Sequence, residues 1–285
     1  MNMKIVKYLG LVLIIATAFS CTKHEVVYNA DTLTGTAEFQ LHYYNPVTSA
    51  TANNITRVEV NGQLYSNYKA PLTTYNAVPG GGIGRFFAVA PGSVNLKLYQ
   101  GSVDPLTLVY DRNVTMAEGK QNIFVHDFAQ DPFVYNNGYP YPRNVTEITD
   151  SICWIKFYNI LYDTIGTPNV PTNLRLQYQY IDYRTSVPVN IGPPVAFGET
   201  TDWQPVTVVK DNNISAGSRL MTFKIKTVDA GGNIIGDLQI MGTGGTYSAY
   251  TSTFTCAIGR RYHQVMSGFR KVKAPNSSVR TFTAL

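Results

Sequence analysis

Apolar and polar side chains change places every second residue along much of this chain. Phe39, Leu41 and Tyr43 mark one such stretch, and Val58 with Val60, Val94 with Leu96 and Leu98, Leu174 with Leu176 and Tyr178, and Met221 with Phe223 and Ile225 mark others. Residues two apart share one face of an extended chain, so each stretch predicts a strand with one apolar face. Beyond residue 21 no stretch keeps apolar residues at helical spacing over three turns. Turn formers separate the stretches: Asn61-Gly62, Pro79 before three glycines, Pro91-Gly92, Asp229 before Gly231-Gly232, and Gly242 before Gly244-Gly245. The pattern predicts an all-β protein of many short strands.

The two halves of the chain also match each other in order. Leu41-His-Tyr-Tyr-Asn45 answers Ile155-Lys-Phe-Tyr-Asn159, and Val58-Glu-Val60 answers the strand from Leu174 to Tyr180. Ala90-Pro-Gly-Ser93 with the strand to Tyr99 corresponds to Ser215-Ala-Gly-Ser218 with the strand to Lys226. Asn122-Ile-Phe-Val-His126 pairs with Ser252-Thr-Phe-Thr-Cys256. Four matches in one order indicate duplication. Each half is then expected to be two antiparallel sheets packed face to face, filled by the alternating apolar positions.

Three segments carry a resemblance to a known family: Val195-Ala-Phe-Gly-Glu-Thr200, the Ala216-Gly217-Ser218 turn, and Phe254-Thr-Cys-Ala-Ile-Gly259 read as the closing strand. They resemble a family of immunoglobulin-like β-sandwich repeats in bacterial envelope proteins, known only as a domain of unknown function. The resemblance covers most of residues 36–283 and implies two tandem immunoglobulin-like sandwiches. It implies no activity. In the first copy Tyr68-Lys-Ala-Pro-Leu-Thr-Thr-Tyr75 replaces the Phe-Gly element.

The first residues set an address. Lys4 and Lys7 precede an apolar run from Leu9 to Ala18, which ends at Phe19-Ser20-Cys21. A charged start, a short apolar run and a small residue before the cut form an export signal. The run is too short for a mature membrane span, which needs roughly 20 apolar residues. Ala18-Phe19-Ser20-Cys21 resembles the lipobox of bacterial lipoproteins, with Phe19 unusual there, and this implies cleavage before Cys21 and acylation of that cysteine. Two or more acyl chains anchor a protein durably. Thr22 follows where, in such lipoproteins, aspartate favours inner-membrane retention. The expected location is therefore the outer membrane, on either face. The expected organisation is a signal peptide at 1–20, a lipidated tether at 21–34, a first sandwich at 35–132, a proline-containing linker at 133–148 and a second sandwich at 149–285.

Composition narrows the partners. Charged residues are 14% of the chain, against roughly 25% in ordinary soluble domains. A net charge of +5 is modest and suggests no nucleic acid. Arg260, Arg261, Arg270, Lys271, Lys273 and Arg280 crowd the C-terminal region without an acidic residue among them, which predicts a solvated basic face or a contact with anionic lipid or polysaccharide. Cys153 and Cys256 remain once Cys21 is acylated. Both sit on apolar faces in a compartment that permits disulfides, so they are either bridged or two buried thiols.

No catalytic constellation emerges. The four histidines (His24, His42, His126 and His263) are scattered and lie in no recognisable signature. No paired-cysteine or paired-histidine spacing indicates a metal, and the acidic clusters Asp127 to Asp131 and Asp211 to Asn213 serve as turns as well as they would hold calcium. The glycines after Pro79 lack the lysine and hydroxyl of a phosphate loop. Neither cofactor nor enzyme activity is expected. The aromatics of the linker region, Tyr135, Tyr139 and Tyr141, together with Trp203, are the candidate ligand contacts, since exposed rings stack on sugars or pack on peptides. The competing reading has them gluing the two domains together. The expected partners are the membrane, through the N-terminal lipid, and a polysaccharide or another envelope protein.

Overall fold

Strands form where alternation predicts them, and they fall into two groups in a computed structural model that describes residues 34–67, 69–80, 85–102, 104–142, 151–208, 217–229, 231–275 and 277–284. The expected signal peptide, Cys21, nearly all of the tether, residues 143–148 of the linker and Asp211 to Asn213 lie outside these residues. In the first group are β1 (Ala37–Tyr43), β2 (Ile55–Val60), β3 (Gln63–Ser66), β4 (Ala77–Val78), β5 (Phe87–Val89), β6 (Gly92–Gln100), β7 (Thr107–Met116), β8 (Gly119–Val125) and β9 (Phe133–Asn136). They build one sheet in the order β4-β1-β8-β9, with β5 also on β1, and another in the order β3-β2-β6-β7. Asn61 and Gly62 have φ of 51° and 77°, the left-handed pair that a two-residue hairpin needs. They join β2 to β3 as the sequence predicts.

The second group begins with β10 (Ile152–Thr164), β11 (Val170–Pro171), β12 (Arg175–Ile181), β13 (Pro188–Asn190), β14 (Gln204–Thr207) and β15 (Ser218–Val228). It continues with β16 (Ile234–Asp237), β17 (Gln239–Met241), β18 (Tyr247–Ala249), β19 (Thr251–Ala257), β20 (Arg261–Phe269) and β21 (Ser278–Thr283). One sheet runs β11-β10-β20-β21 with β14 on β10. A second runs β13-β12-β15-β16 with β19 on β15, and β17 pairs with β18 alone. The protein is all-β. Among the described residues no helix is long and apolar enough to cross a membrane.

Each group closes a core of its own between its two large sheets. In the first, Phe39, Leu41 and Tyr43 of β1 and Ile123 of β8 meet Val58 of β2, Leu96 of β6 and Tyr110 of β7. In the second, Ile155 and Phe157 of β10 and Met266 of β20 meet Tyr178 of β12, Phe223 of β15 and Cys256 of β19. Both groups are therefore sandwiches. Burying a side chain of this size contributes about 1.5–3 kcal/mol.

The two groups share one topology, with one expected match corrected. β1 runs parallel to β8 over its full length, and β10 runs parallel to β20 in the same way. β20 is thus the counterpart of β8. The Ser252 to Cys256 segment, matched above to β8, instead lies on β19, in the opposite sheet and antiparallel to β15. β19 has the alternating burial of a half-exposed strand, whereas β20 is buried on both faces and lacks clean alternation, so the local pattern picked out the wrong strand. The segment read as the closing strand is accordingly followed by two more. The second sandwich also splits the strand equivalent to β7 into β16 and β19, with the β17–β18 hairpin between them.

Two further expectations change. The linker expected from residue 133 opens as β9, paired antiparallel to β8 from Gln121 to Phe124. The basic C-terminal face is only half turned outward: Arg261, Arg270 and Arg280 are buried or partly buried, and Arg260, Lys271 and Lys273 are exposed. Arg270 donates two hydrogen bonds to the Asp163 carboxylate at 2.8 and 3.0 Å, and Lys271 reaches the same carboxylate at 2.6 Å. Arg261 donates twice to the Pro142 carbonyl, while Arg280 lies over the Tyr75 ring, 3.2 Å from its centroid. Only Arg260 and Lys273 of the six stay exposed without such engagement at the surface.

Candidate functional site

β1, β8, β10 and β20 are buried on both faces, which alternation alone does not predict. Their inner residues fill the two cores. Their outer residues face each other, so the sheet of β1 and β8 stacks on the sheet of β10 and β20 and the molecule has four layers. Tyr44, Phe124, Tyr158, Ile160 and Val265 form the buried centre of this seam, with Tyr75, Phe133, Tyr135, Phe197 and Phe282 around them. The positions that looked solvent-facing in the sequence, among them Gln40, His42, Asn122, Lys156 and His263, are buried here.

All three histidines of the described residues meet in the seam: His42 is 1%, His126 2% and His263 0% exposed. A column of rings crosses it. Phe124 stacks on His42 at 4.4 Å and Phe282 on His263 at 4.5 Å, while His42 meets Phe282 at 4.4 Å and His263 meets Trp203 at 4.8 Å with tilted rings. Hydrogen bonds fix the imidazoles in the plane of the seam. His42 Nε2 donates to Asn122 Oδ1 at 3.3 Å. The Asn137 amide nitrogen donates to the same oxygen and to His263 Nε2, each at 3.4 Å. With Nε2 accepting, the His263 proton sits on Nδ1 and is donated to the Tyr158 hydroxyl at 2.8 Å. His126 donates from Nε2 to the Asp131 carbonyl at 3.1 Å and accepts from the Tyr162 hydroxyl at 2.5 Å.

This arrangement holds the rings neutral. Burial pulls His42 down to about 3, against the opposing pull of its Asn122 bond. Burial likewise takes His126 down to about 4, with Asp127 and the Asp131 carbonyl resisting. His263 is held well below its ordinary value by burial, then by the nearby charges of Lys156 and His42. Three imidazoles fixed in this way are structural elements of an interface. Each is already engaged on both nitrogens or packed between rings.

The candidate aromatics sit at or beside the same seam. The Tyr135 hydroxyl donates across it to the Gly198 carbonyl at 3.0 Å, and Trp203 Nε1 donates to the Gly138 carbonyl at 3.2 Å. Tyr139 and Tyr141 meet edge to face at 5.4 Å, and Tyr141 meets Trp203 at 6.0 Å. Lys120 and Arg261 lie over the Tyr139 and Tyr141 rings. Gly138 makes this packing possible: its φ is +91°, and a Cβ there would come within 2.9 Å of Trp203 Cδ1. Gly138→Ala is therefore expected to destabilise the chain by on the order of 2 kcal/mol, read as a lower urea midpoint together with changed tryptophan emission.

Cys153 and Cys256 come from opposite sheets of the second sandwich and are both fully buried. They are free thiols, so the alternative of a bridge is not the state shown. They face each other all the same: the Cys256 thiol, hydrogen-bonded to Cys153, and burial push the Cys153 thiol up. Gly259 N donates to the Ile152 carbonyl at 2.8 Å, which holds the two strands together beside them. Of the acidic turns, Asp127 spends its carboxylate on the backbone amides of Ala129 and Asn169, at 2.8 and 2.7 Å. Among the described residues no cluster of three acidic, histidine or cysteine side chains is placed to hold a metal.

One open feature straddles the seam, a cleft of about 640 Å³. Asn45, Asn53 and Phe128 of the first sandwich face Ile165, Asn169 and Phe269 of the second across it. Nothing local in the chain announces this cleft, because its walls come from loops far apart in sequence. No family model and no curated protein matches this chain.

Proposed function

We propose that this chain is a non-enzymatic binding or scaffold protein of the bacterial outer membrane, anchored by lipid on Cys21 and built from two immunoglobulin-like repeats. The observation that carries the non-catalytic part is the fate of the histidines. Three of the four, the side chains best suited to proton transfer near neutral pH, are spent as neutral rings inside the seam. The anchoring part rests on the charged start, the short apolar run and Cys21. Mass spectrometry of the N-terminal peptide from membranes of a bacterial host tests it. An acylated peptide beginning at Cys21 is expected, with palmitate incorporation lost in Cys21→Ala. A mature N-terminus that is unacylated or lies elsewhere overturns the anchor. Turnover of a glycan or peptide, abolished by one side-chain substitution, overturns the non-catalytic reading.

A second reading, glycan capture for a nutrient-uptake system, is favoured by the cleft, whose walls carry both amide and apolar side chains. Such walls suit sugars, which offer hydroxyls to the amides and ring faces to the apolar groups. Affinity electrophoresis in soluble host and plant polysaccharides separates the two. Retardation by a polymer, lost in Asn45→Ala and Asn169→Ala, supports glycan capture, and no retardation by any polymer returns the chain to scaffolding or adhesion.

A further inference from the structure

The seam is built unlike the cores on either side of it. Each core is lined almost wholly by apolar side chains. The seam joins rings to buried polar groups, and not all of these are satisfied: Asn122 Nδ2 and Asn137 Oδ1 have no hydrogen-bond partner among the described residues. Parting the seam would return these two groups to water and recover part of the cost of leaving their bonds unmade. Each sandwich has a core cluster of its own, distinct from the seam.

Its electrostatics also run one way. From β1 the groups facing His42 and its neighbours include Glu38, which Lys120 of β8 engages at 2.7 Å. From β10 comes Lys156, whose ammonium donates across the seam to the Asn136 carbonyl at 2.9 Å. Its counter-charge is Asp202, just before Trp203. β20 adds Arg261 at the rim, and β21 adds Arg280 over Tyr75. The tyrosines facing the rings, Tyr44, Tyr135, Tyr158 and Tyr162, are uncharged. Asp127 is the carboxylate beside His126. Four cations thus stand at the seam against Glu38, Asp202 and Asp127, before any histidine is charged.

We propose that the seam is an acid-released joint: protonation of His42, His126 and His263 parts the two sandwiches while each stays folded. The geometry makes the step abrupt. A second proton on His263 would sit on Nε2, where the Asn137 amide already points a donor at 3.4 Å. A second proton on His42 would charge a ring clamped between Phe124 and Phe282, close to His263 and therefore to Lys156. In the separated state each imidazole takes its proton near pH 6.5, as a free side chain does. In the closed state it does so only well below that. Closure is thus unaffected above about pH 6.5, weakens as pH falls from there, and stops weakening below the closed-state values. Each histidine shifts the balance roughly tenfold per pH unit within that window, so three together shift it by about a thousandfold per unit. This inference goes beyond the proposed function and does not depend on it.

The test uses the full chain in detergent micelles with Trp154→Phe, which leaves Trp203, in contact with His263, as the single indole. Acrylamide quenching of Trp203 is measured between pH 7.5 and 4, with far-ultraviolet circular dichroism alongside. The expected result is at least a twofold rise in quenching as pH falls, with the strand signal retained. His263→Gln supplies an amide that cannot charge, and it moves the transition to lower pH by at least half a unit. His42→Gln does the same and carries the test where His263→Gln does not fold. Quenching that stays flat to pH 4, a strand signal lost together with it, or a transition unmoved in the folded variants overturns the proposal.

Discussion

Phe124→Ala is expected to lower the unfolding free energy by about 3–5 kcal/mol, the range for emptying a buried phenylalanine site. Phe124 is 0% exposed and stands at the centre of the seam. Its ring stacks on His42 at 4.4 Å and meets Tyr44 at 5.1 Å, Tyr158 at 5.5 Å and Tyr135 at 5.6 Å. Those neighbours belong to β1 and its end, β9 and β10, in two sandwiches, so they cannot collapse into the space without parting the layers. For a chain of this size the loss corresponds to a fall in Tm on the order of 10 °C. Thermal melts followed by circular dichroism check this, with Leu64→Ala as the comparison. Leu64 is 56% exposed, and its loss should stay within about 0.5 kcal/mol. Equal effects of the two substitutions would mean that the sandwiches do not stack as described.

Joining Cys153 to Cys256 is expected to have the largest stabilising effect. The two cysteines come from opposite sheets of one core, with the Cys256 thiol beside Cys153. It would close a loop of roughly a hundred residues, and in the chain-entropy model such a loop contributes up to about 4.7 kcal/mol. Refolding with oxidised glutathione supplies the oxidant: its disulfide is reduced to two thiols as the protein loses two hydrogens. The oxidised chain should then be two hydrogens lighter by intact mass and unfold at higher urea than the reduced chain. Cys256→Ala should abolish both differences. A bridged chain with an unchanged midpoint would show that strain in the bridge cancels the entropic gain.

The acid-released joint and the effect of Phe124 share one origin, the outer faces of β1, β8, β10 and β20. Here the sequence was most easily misread. Glu38, Gln40 and His42 alternate with Phe39, Leu41 and Tyr43 in the manner of a strand with one wet face. Lys156 and His263 occupy the same kind of position in the second copy. Period-two alternation reports two chemically different faces, and it does not report that the polar face is exposed. The 13 residues of β10 carried a clearer signal. Its outer positions include Tyr158, Ile160 and Tyr162, which are too apolar for a solvated face. The glycine and prolines around Tyr139 and Tyr141 read as a spacer because nothing local shows that Gly138 yields room to Trp203, 65 residues away.

The amino-acid sequence by itself determined that the chain is extended in short strands, that Asn61-Gly62 turns a hairpin and that most of the opening strands recur in a second copy. All three are written in neighbouring residues, through side-chain alternation and the left-handed backbone that asparagine and glycine accept. Only the tertiary structure decided that β20 and not β19 partners the first strand, that the sandwiches stack into four layers, and that three scattered histidines meet in one buried plane. Those outcomes depend on contacts between residues up to more than a hundred positions apart, selected by how whole sheets exclude water from one another.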